Sequence, residues 1–508
     1  MKKYLSLVLA ALMAVMCISL HAFADEERPV ITIMNRVNAE IDLGEDNPII
    51  KAIEDKLGID IQYDIAPPSS YAEKEQIVMA SGEMPDILYH HAAADAYLET
   101  WAADGIILPL DDYIPKYEHI TAQLTPEMQE AFRANSTGKI VALTRPHNLN
   151  QWGFVINKTW LDNLGLKEPT TIEEFKDVMV AFSKNDPDGN GKDDTYGTTI
   201  ALGNLTDYTN NGWAAAFGLS FIPDEVTGEC NTIPRMTGYL PYLTYLHDLY
   251  AEGAIDPEWV VGGAGLTPSD CTDKFLAGKL GCFMNTVGCI PSCFGTYGQQ
   301  AMDDYEFIAP MKNIYTGEPT FYTIPPMWGC YMINADSEEN GKVDTIFELI
   351  DYCYSQEGWT LLHMGIEGMH YNSYDFESRT VDRTPEQEAL LATQTGAQVT
   401  FCNYFDGAGP IISAYPEATE KYWADYNRVV PGVKWVKVPY NRAPKFAQFD
   451  ADNPDANTHL HTIETQYIMG EITLEDVEAF LNDEYYPLSE EMNEDYATWL
   501  AAQWSNRD

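Results

Sequence analysis

From residue 29 onward the chain alternates short apolar strands with amphipathic helices, and this order strongly limits the fold. Residues 30–33 and 59–65 have strand patterns, the segment 48–57 places Ile49, Ile53 and Leu57 on one helical face, and 71–80 and 85–89 add a helix and a strand. The order β-α-β-α-β predicts a parallel sheet with right-handed crossovers. Ligands of such sheets bind beyond the carboxyl ends of the strands, here after Met34 and Leu88.

A second α/β region begins near Gly153. Its predicted strands are 154–156, 280–284 and 328–333, and its predicted helices are 160–164, 172–183, 239–252, 271–277 and 343–355. The sequence contains no repeat, low-complexity tract or long linker. We therefore expect two lobes joined by several short crossings. The predicted first lobe is 25–150 plus about 285–327, and the predicted second lobe is 151–284 plus about 328–508.

The charge of the chain limits its partners. Of 508 residues, 78 are Asp or Glu and 30 are Lys or Arg, which gives a formal net charge of −48. A surface with this much negative charge repels phosphate backbones and anionic lipid head groups. We therefore do not expect the protein to bind nucleic acid or the membrane surface. The apolar content of 45% is sufficient for large cores.

The N-terminus has the pattern of a secretory signal peptide over residues 1–24. Lys2 and Lys3 precede an apolar stretch, and Ala22 and Ala24 are the small residues that a signal peptidase requires, so cleavage is expected after Ala24. A lipid anchor at Cys17 is the alternative, and we favour soluble secretion. Eight cysteines follow the leader, and we expect mostly free thiols because several lie in apolar stretches.

A dense run of acidic residues predicts a structural Ca²⁺ site. Oxygen donors recur with the spacing of a calcium-binding loop at Asp186, Asp188, Asn190, the Lys192 carbonyl and Asp194. Position 12, where an EF-hand carries a bidentate Glu, is Gly197, so a regulatory EF-hand is not expected. The alternative is a polar surface turn, because Asp-Gly and Asn-Gly are also turn dipeptides.

Several tryptophans lie beside turn-forming residues. Trp152, Trp213 and Trp328 each neighbour Gly, Asn or Pro, near predicted strand ends. An indole in such a position can stack on the apolar face of a sugar ring, and core packing is the alternative for each one.

The usual signatures of catalysis are missing from the sequence. It contains no G-x-S-x-G, no H-E-x-x-H, no phosphate-binding G-x-x-x-x-G-K-[ST] and no dinucleotide-binding G-x-G-x-x-G after a strand. We therefore expect a protein that is not an enzyme.

Several segments, in order, resemble one family. They are WGFVINK with WLDNLGL (152–166), TTIEEF (170–175), the acidic loop, YLHDLYAEGAIDPE (245–258), KFLAGKLG (274–281) and GIEGMHY (365–371). Together they resemble the extracellular solute-binding proteins of ABC transporters, family 1, in the oligosaccharide-binding group common in Gram-positive bacteria. The resemblance implies a type II periplasmic-binding-protein-like fold: two α/β lobes, each a sheet flanked by helices, whose cleft closes on a sugar and delivers it to a membrane permease.

The resemblance implies no catalytic residue. We expect a monomeric protein with its ligand-binding residues at the crossings between the lobes. The candidate ligand-binding residues are Arg145, Trp152, Trp213, Trp328, Glu367, His370 and Tyr371, which lie at expected crossings or strand ends. Arg145 would suit a uronate carboxylate. Alginate-binding relatives carry calcium in such a loop, with an acidic residue where this chain has Thr195. A secreted carbohydrate-active enzyme and a sensory binding protein are the competing interpretations.

Overall fold

The computed structural model describes residues 28–37, 41–44, 46–90, 96–146, 152–201, 205–206, 210–260, 266–323, 327–377, 380–394, 401, 415–439 and 443–505. The predicted signal peptide, with Cys17, lies outside the described residues. The strands are β1 Val30–Arg36, β2 Asp60–Ala66, β3 Ile87–His90, β4 Leu143–Pro146, β5 Trp152–Asn157, β6 Cys282–Thr286, β7 Tyr305–Ile308, β8 Thr320–Thr323, β9 Met327–Ile333, β10 Ser373–Asp375, β11 Thr380–Asp382 and β12 Lys434–Lys437.

The helices surround two main sheets. They are α1 Pro48–Leu57, α2 Pro68–Ser81, α3 Ala96–Ala103, α4 Glu118–Gln123, α5 Pro126–Ala131, α6 Lys158–Leu164, α7 Ile172–Lys184, α8 Asn211–Ala216, α9 Tyr239–Ala251, α10 Pro268–Leu276, α11 Phe294–Asp303, α12 Asp336–Glu339, α13 Val343–Tyr354, α14 Gln356–Met364, α15 Pro385–Gln394, α16 Pro416–Val429, α17 Pro444–Asp452, α18 Ala456–Ile468, α19 Leu474–Phe480 and α20 Tyr486–Ser505. Among the described residues, no helix is long and apolar enough to span a bilayer.

The first lobe is built on a five-stranded mixed sheet with the order β2-β1-β3-β9-β4. β1 runs parallel to β2 and β3, as the alternating pattern predicts, and β9 lies antiparallel between β3 and β4. Local signals set α1: the Asn47 side chain accepts hydrogen bonds from the first turn, and Gly58 ends the helix in the left-handed conformation. The buried face of α1 carries Ile49, Ile50 and Ile53, which attach it to the sheet.

The second lobe has a three-stranded antiparallel sheet with the order β6-β5-β7. Trp152 at the start of β5 pairs with Thr286, and Phe154 pairs with Met284 on one side and Ile308 on the other. β8 and β12 form a separate parallel pair. The core of this lobe includes helices from both the middle of the chain and its C-terminal part, from Trp160 to Tyr485.

The structure divides the later segments between the lobes differently from the sequence prediction. Residues 285–323 were expected in the first lobe, but β7 pairs with β5 and the buried side chains of this segment belong to the second core. Residues 328–401 were expected in the second lobe, but β9 completes the first sheet, and α13 and α14 pack on it. The prediction was wrong for these two segments because it assigned the strand 328–333 without its pairing partners.

The two-lobed α/β fold itself is confirmed. The chain passes from the first sheet to the second between Pro146 and Trp152 and returns between Thr323 and Met327. The chain crosses once more between Phe401 and α16, since the Phe401 ring packs in the core of the first lobe and α16 packs in the core of the second. The carboxyl ends of β1, β3 and β4 and the start of β9 therefore share one edge, which faces the cleft between the lobes.

Seven cysteines of the described residues are free thiols, in line with the sequence expectation. Cys271, Cys282, Cys330 and Cys353 are buried. Burial raises the pKa of Cys271 to about 12, so this thiol stays protonated and inert at neutral pH.

The glycine near the start of β9 allows a close approach to β3. Gly329 has φ +67°, and a Cβ there would collide with the Tyr89 hydroxyl and lie 2.7 Å from the His90 carbonyl oxygen. We expect Gly329→Ala to destabilise the protein by about 2–4 kcal/mol, because it combines an unfavourable φ with a backbone clash. Urea unfolding followed by tryptophan fluorescence measures this change.

Gly341→Ala is the matched control. Gly341 has nearly the same φ, +69°, but nothing lies within 4 Å of its added Cβ. It should cost only the conformational penalty of about 1 kcal/mol. Equal losses of stability in the two variants would contradict the predicted clash.

Candidate ligand-binding cleft and calcium loop

The cleft edge of the first sheet carries buried polar groups that the sequence analysis missed. Asn35, at the carboxyl end of β1, is fully buried and donates from Nδ2 to the hydroxyl of Tyr331 on β9 at 2.9 Å. The Tyr331 ring packs against Phe401 with 4.4 Å between ring centroids. This hydrogen bond connects β1 to β9 across the intervening β3, so it fixes their relative position near the cleft edge.

A second buried pair lies at the end of β3. His90 Nδ1 is 2.8 Å from Glu75 Oε1, and both side chains are 5% exposed. The imidazole also contacts Trp101 edge-on. A buried carboxylate requires such a partner, and the pair orients His90 at the carboxyl edge of the sheet. Only the tertiary fold brings Glu75 to His90, and no local sequence pattern marks the pair.

Two of the predicted stacking tryptophans are buried in the second lobe. Trp213 is 5% exposed, and its indole contacts Phe154 and Phe175 in edge-to-face geometry and Tyr245 at a tilt. This surrounding favours core packing, the alternative given for Trp213, over stacking on a sugar. Trp152 is 7% exposed at the start of β5, next to the first crossing.

Two other predicted residues flank the crossings, but their side chains lie outside the described part of the structure. The backbone of Arg145 belongs to β4, just before the first crossing. The backbone of Trp328 belongs to β9, just after the return crossing. Trp152, Trp328 and Arg145 are therefore brought to the same interlobe region by the strand order.

His370 has a positioning role within its own loop. It is fully buried, its Nδ1 accepts a hydrogen bond from the Ile366 amide at 2.9 Å, and its Nε2 is 3.0 Å from Gln394 Oε1. Burial lowers the pKa of His370, so the ring is neutral at pH 7 and donates from Nε2 to Gln394. The imidazole thus fastens the 365–371 loop to the end of α15.

Glu367 and Tyr371 lie on a groove along the helices of the first lobe. The groove has a volume of about 700 Å³ and is also lined by Lys56, Tyr352 and Glu357. Lys56 is in the last turn of α1, at the sheet edge opposite the carboxyl end of β1, and its ammonium lies 2.8 Å from Glu357. Glu367 and Tyr371 therefore lie on the helical face of the first lobe, away from the tryptophans at the crossings.

The predicted calcium loop is a closed network of hydrogen bonds. Asp186, a non-glycine residue with positive φ, accepts from the amides of Asn190 and Gly191 at 3.0 and 2.9 Å. The Asn190 side-chain nitrogen donates to Asp188 at 2.6 Å and to Asp194 at 3.1 Å. The loop thus gathers these acidic side chains around one amide group.

A lysine from another segment completes the loop. Lys279 Nζ lies 2.6 Å from the second carboxylate oxygen of Asp194. The hydrogen bonds from Lys279 and Asn190 hold the pKa of Asp194 below its usual range. Thr195, the position at which the resemblance implies an acidic residue, is buried and donates to the Phe182 carbonyl.

The donor set has the chemistry that calcium requires, but its arrangement differs from a metal centre. Within the described residues, no group of three or more His, Cys, Asp or Glu side chains is arranged to hold a metal ion. Calcium binds oxygen, so Asn190 would present Oδ1 in place of its nitrogen, and Asp194 would exchange Lys279 for the ion. Carboxylates, an amide oxygen and the Lys192 carbonyl are all hard oxygen donors that fit Ca²⁺.

Comparison with solved structures reveals folds of the same kind. The substrate-binding protein FusA of Streptococcus pneumoniae, in complex with kestose, matches with a TM-score of 0.70 and 19% identity over 94% of this chain and 100% of that chain. A FusA structure described as an EF-hand mutant matches with a TM-score of 0.66. The alginate-binding protein AlgQ2 without calcium ion matches with a TM-score of 0.63 and 16% identity over 93% of this chain and 99% of that chain.

Sequence comparison extends the similarity. Lipoprotein LipO of Bacillus subtilis is 27% identical over 392 residues, which is 74% of each chain. FusA is 28% identical over 226 residues, 41% of each chain. The family model for the bacterial extracellular solute-binding proteins matches residues 42–358, which include strands of both lobes and the acidic loop. The chain belongs to the family of bacterial extracellular solute-binding proteins.

Proposed function

We propose that this chain is the solute-binding component of an ABC transporter, which captures a sugar or oligosaccharide between its lobes and delivers it to a membrane permease. The observation that carries the proposal is the convergence of the ends of both sheets on the interlobe crossings. FusA, which resembles this chain in sequence and fold, is described as a fructooligosaccharide ABC transporter substrate-binding protein. The protein acts as a monomer outside the cell, free or anchored to the surface.

The interlobe region supplies the kinds of groups that bind sugars. The backbones of Trp152 and Trp328 flank the two crossings, and that of Arg145 precedes the first one. In the proposed site, closure of the lobes would place these indoles against the apolar faces of sugar rings, and the Arg145 guanidinium would donate to hydroxyl or carboxylate oxygens. Closure of the lobes by bending at the crossings would remove water from these groups and strengthen their hydrogen bonds.

Binding without turnover tests the proposed function. A panel of short fructo-, malto-, manno- and xylo-oligosaccharides and oligogalacturonides is screened by thermal shift with the mature protein. We expect at least one glycan to stabilise the protein, by about 2.7 kcal/mol at 100 times its Kd. That glycan should be recovered intact after prolonged incubation. Shorter products formed in proportion to protein would support an enzyme instead, and no stabilisation by any glycan would contradict the proposal.

We further propose that the acidic loop binds Ca²⁺ as a structural ion, with Asp186, Asp188, Asn190, the Lys192 carbonyl and Asp194 as ligands. The donor types support this assignment, as does the positive φ of Gly191 at loop position 6, where a calcium-binding loop makes its sharp turn. Lys279 neutralises Asp194 in the arrangement described above, so the ion would have to replace this lysine. Without metal, Lys279 therefore still neutralises one of the loop carboxylates. Calcium should add stability to the folded protein without being required for folding.

Calorimetry of the wild-type protein and three variants tests this site. Calcium should raise the melting temperature of the wild type, and a chelator should reverse the effect. Asp188→Ala should abolish the response. Lys279→Met should enlarge the response, because the Lys279 ammonium then no longer competes with the ion for Asp194. Asp193→Asn removes a charge from the same loop outside the ligand set and should leave the response intact. A melting temperature that is identical with and without calcium in all four proteins would contradict the site.

A further inference from the structure

One buried acceptor near the crossings has no hydrogen-bond partner among the residues that the structure describes. Asn211 starts α8, and its Nδ2 donates to the carbonyl oxygen of Tyr322 on β8 at 3.0 Å. Its Oδ1 is buried and accepts no hydrogen bond in the described part of the chain. The amide cannot be reversed without loss, because the Tyr322 carbonyl accepts only and must face the nitrogen. A polar atom buried in this way is unfavourable unless something else satisfies it.

The location of Asn211 connects it to the cleft. Tyr322 is the last residue but one of β8, and the chain enters the first sheet at Met327. The next residue of α8, Gly212, lies against Phe154 and Met284. These two residues pair with each other on β5 and β6, two residues along from the pair of Trp152 and Thr286 at the end of the sheet. Asn211 therefore lies on the second lobe, beside the strand that follows the first crossing and the strand that precedes the return crossing.

We propose that Asn211 is a ligand-positioning residue whose Oδ1 accepts a hydrogen bond from a hydroxyl group of the bound glycan. This inference rests on the proposed function. The Tyr322 carbonyl holds the amide in one orientation, so the acceptor is preorganised and the ligand must supply the O–H donor. Carbohydrates present many such donors. The role differs from that predicted for the nearby Trp213, whose indole is enclosed in the core.

The test compares the affinity of Asn211→Ala with that of the wild type for one probe, the glycan from the panel above that stabilises the wild type most. Isothermal titration calorimetry should give a loss of affinity of about tenfold, the usual effect of removing one well-oriented hydrogen bond. Thermal unfolding without glycan reports the separate contribution of the bond to Tyr322. If Asn211→Ala does not fold, Asn211→Ser replaces it in the test, because the shorter serine side chain also removes the acceptor from the position of Asn211 Oδ1.

Ser337→Ala is the matched control. Ser337 Oγ is another buried oxygen without a partner among the described residues, but it lies on α12, after the end of β9 that is remote from the crossings. Its removal should leave glycan affinity unchanged. Wild-type affinity in a folded Asn211 variant would overturn the inference while leaving the proposed function intact. A wild-type protein that binds no glycan of the panel would overturn both.

Discussion

The insertion of β9 between β3 and β4 is the constraint on which the two-lobed structure depends. β9 pairs antiparallel with both neighbours, and the Asn35–Tyr331 hydrogen bond ties it further to β1. Because β9 follows a long excursion through the second lobe, its pairing forces the chain to cross the cleft at least twice. The crossings next to Trp152 and Met327 lie side by side as a result, and the ends of both sheets form the walls of one cleft.

Local signals explain which parts of the fold were predictable. The first three strands and the helices between them follow from apolar periodicity, the Asn47 cap and the stop at Gly58, all of which act within a few residues. The assignment of later segments to lobes depends on pairings such as Tyr89 with Tyr331, which join residues far apart in sequence. The apolar pattern of 328–333 predicts an extended strand, but it does not predict the sheet in which that strand pairs.

The site was predictable to a similar degree. The spacing of acidic residues identified the loop at 186–194, because its geometry is set by neighbouring residues, whereas Lys279 reaches Asp194 from 85 residues away. The Gly and Asn beside Trp213 left stacking on a sugar and core packing as alternatives, and Phe175 and Tyr245 come from other helices and enclose the indole. The resemblance located the 365–371 loop, and the structure assigns His370 to its internal support. Burial is a tertiary property, so it separates stacking aromatics from packing aromatics only after folding.

Hydrogen exchange with and without the stabilising glycan tests most directly whether the ligand binds between the lobes. We expect slower amide exchange in peptides that cover 140–160, 205–216 and 318–332, which contain both crossings and the start of α8. Little change is expected along the groove that includes Lys56 and Glu357, because this groove lies on the helical face of one lobe. Protection confined to that groove, with the crossings unchanged at saturating glycan, would contradict binding in the interlobe cleft.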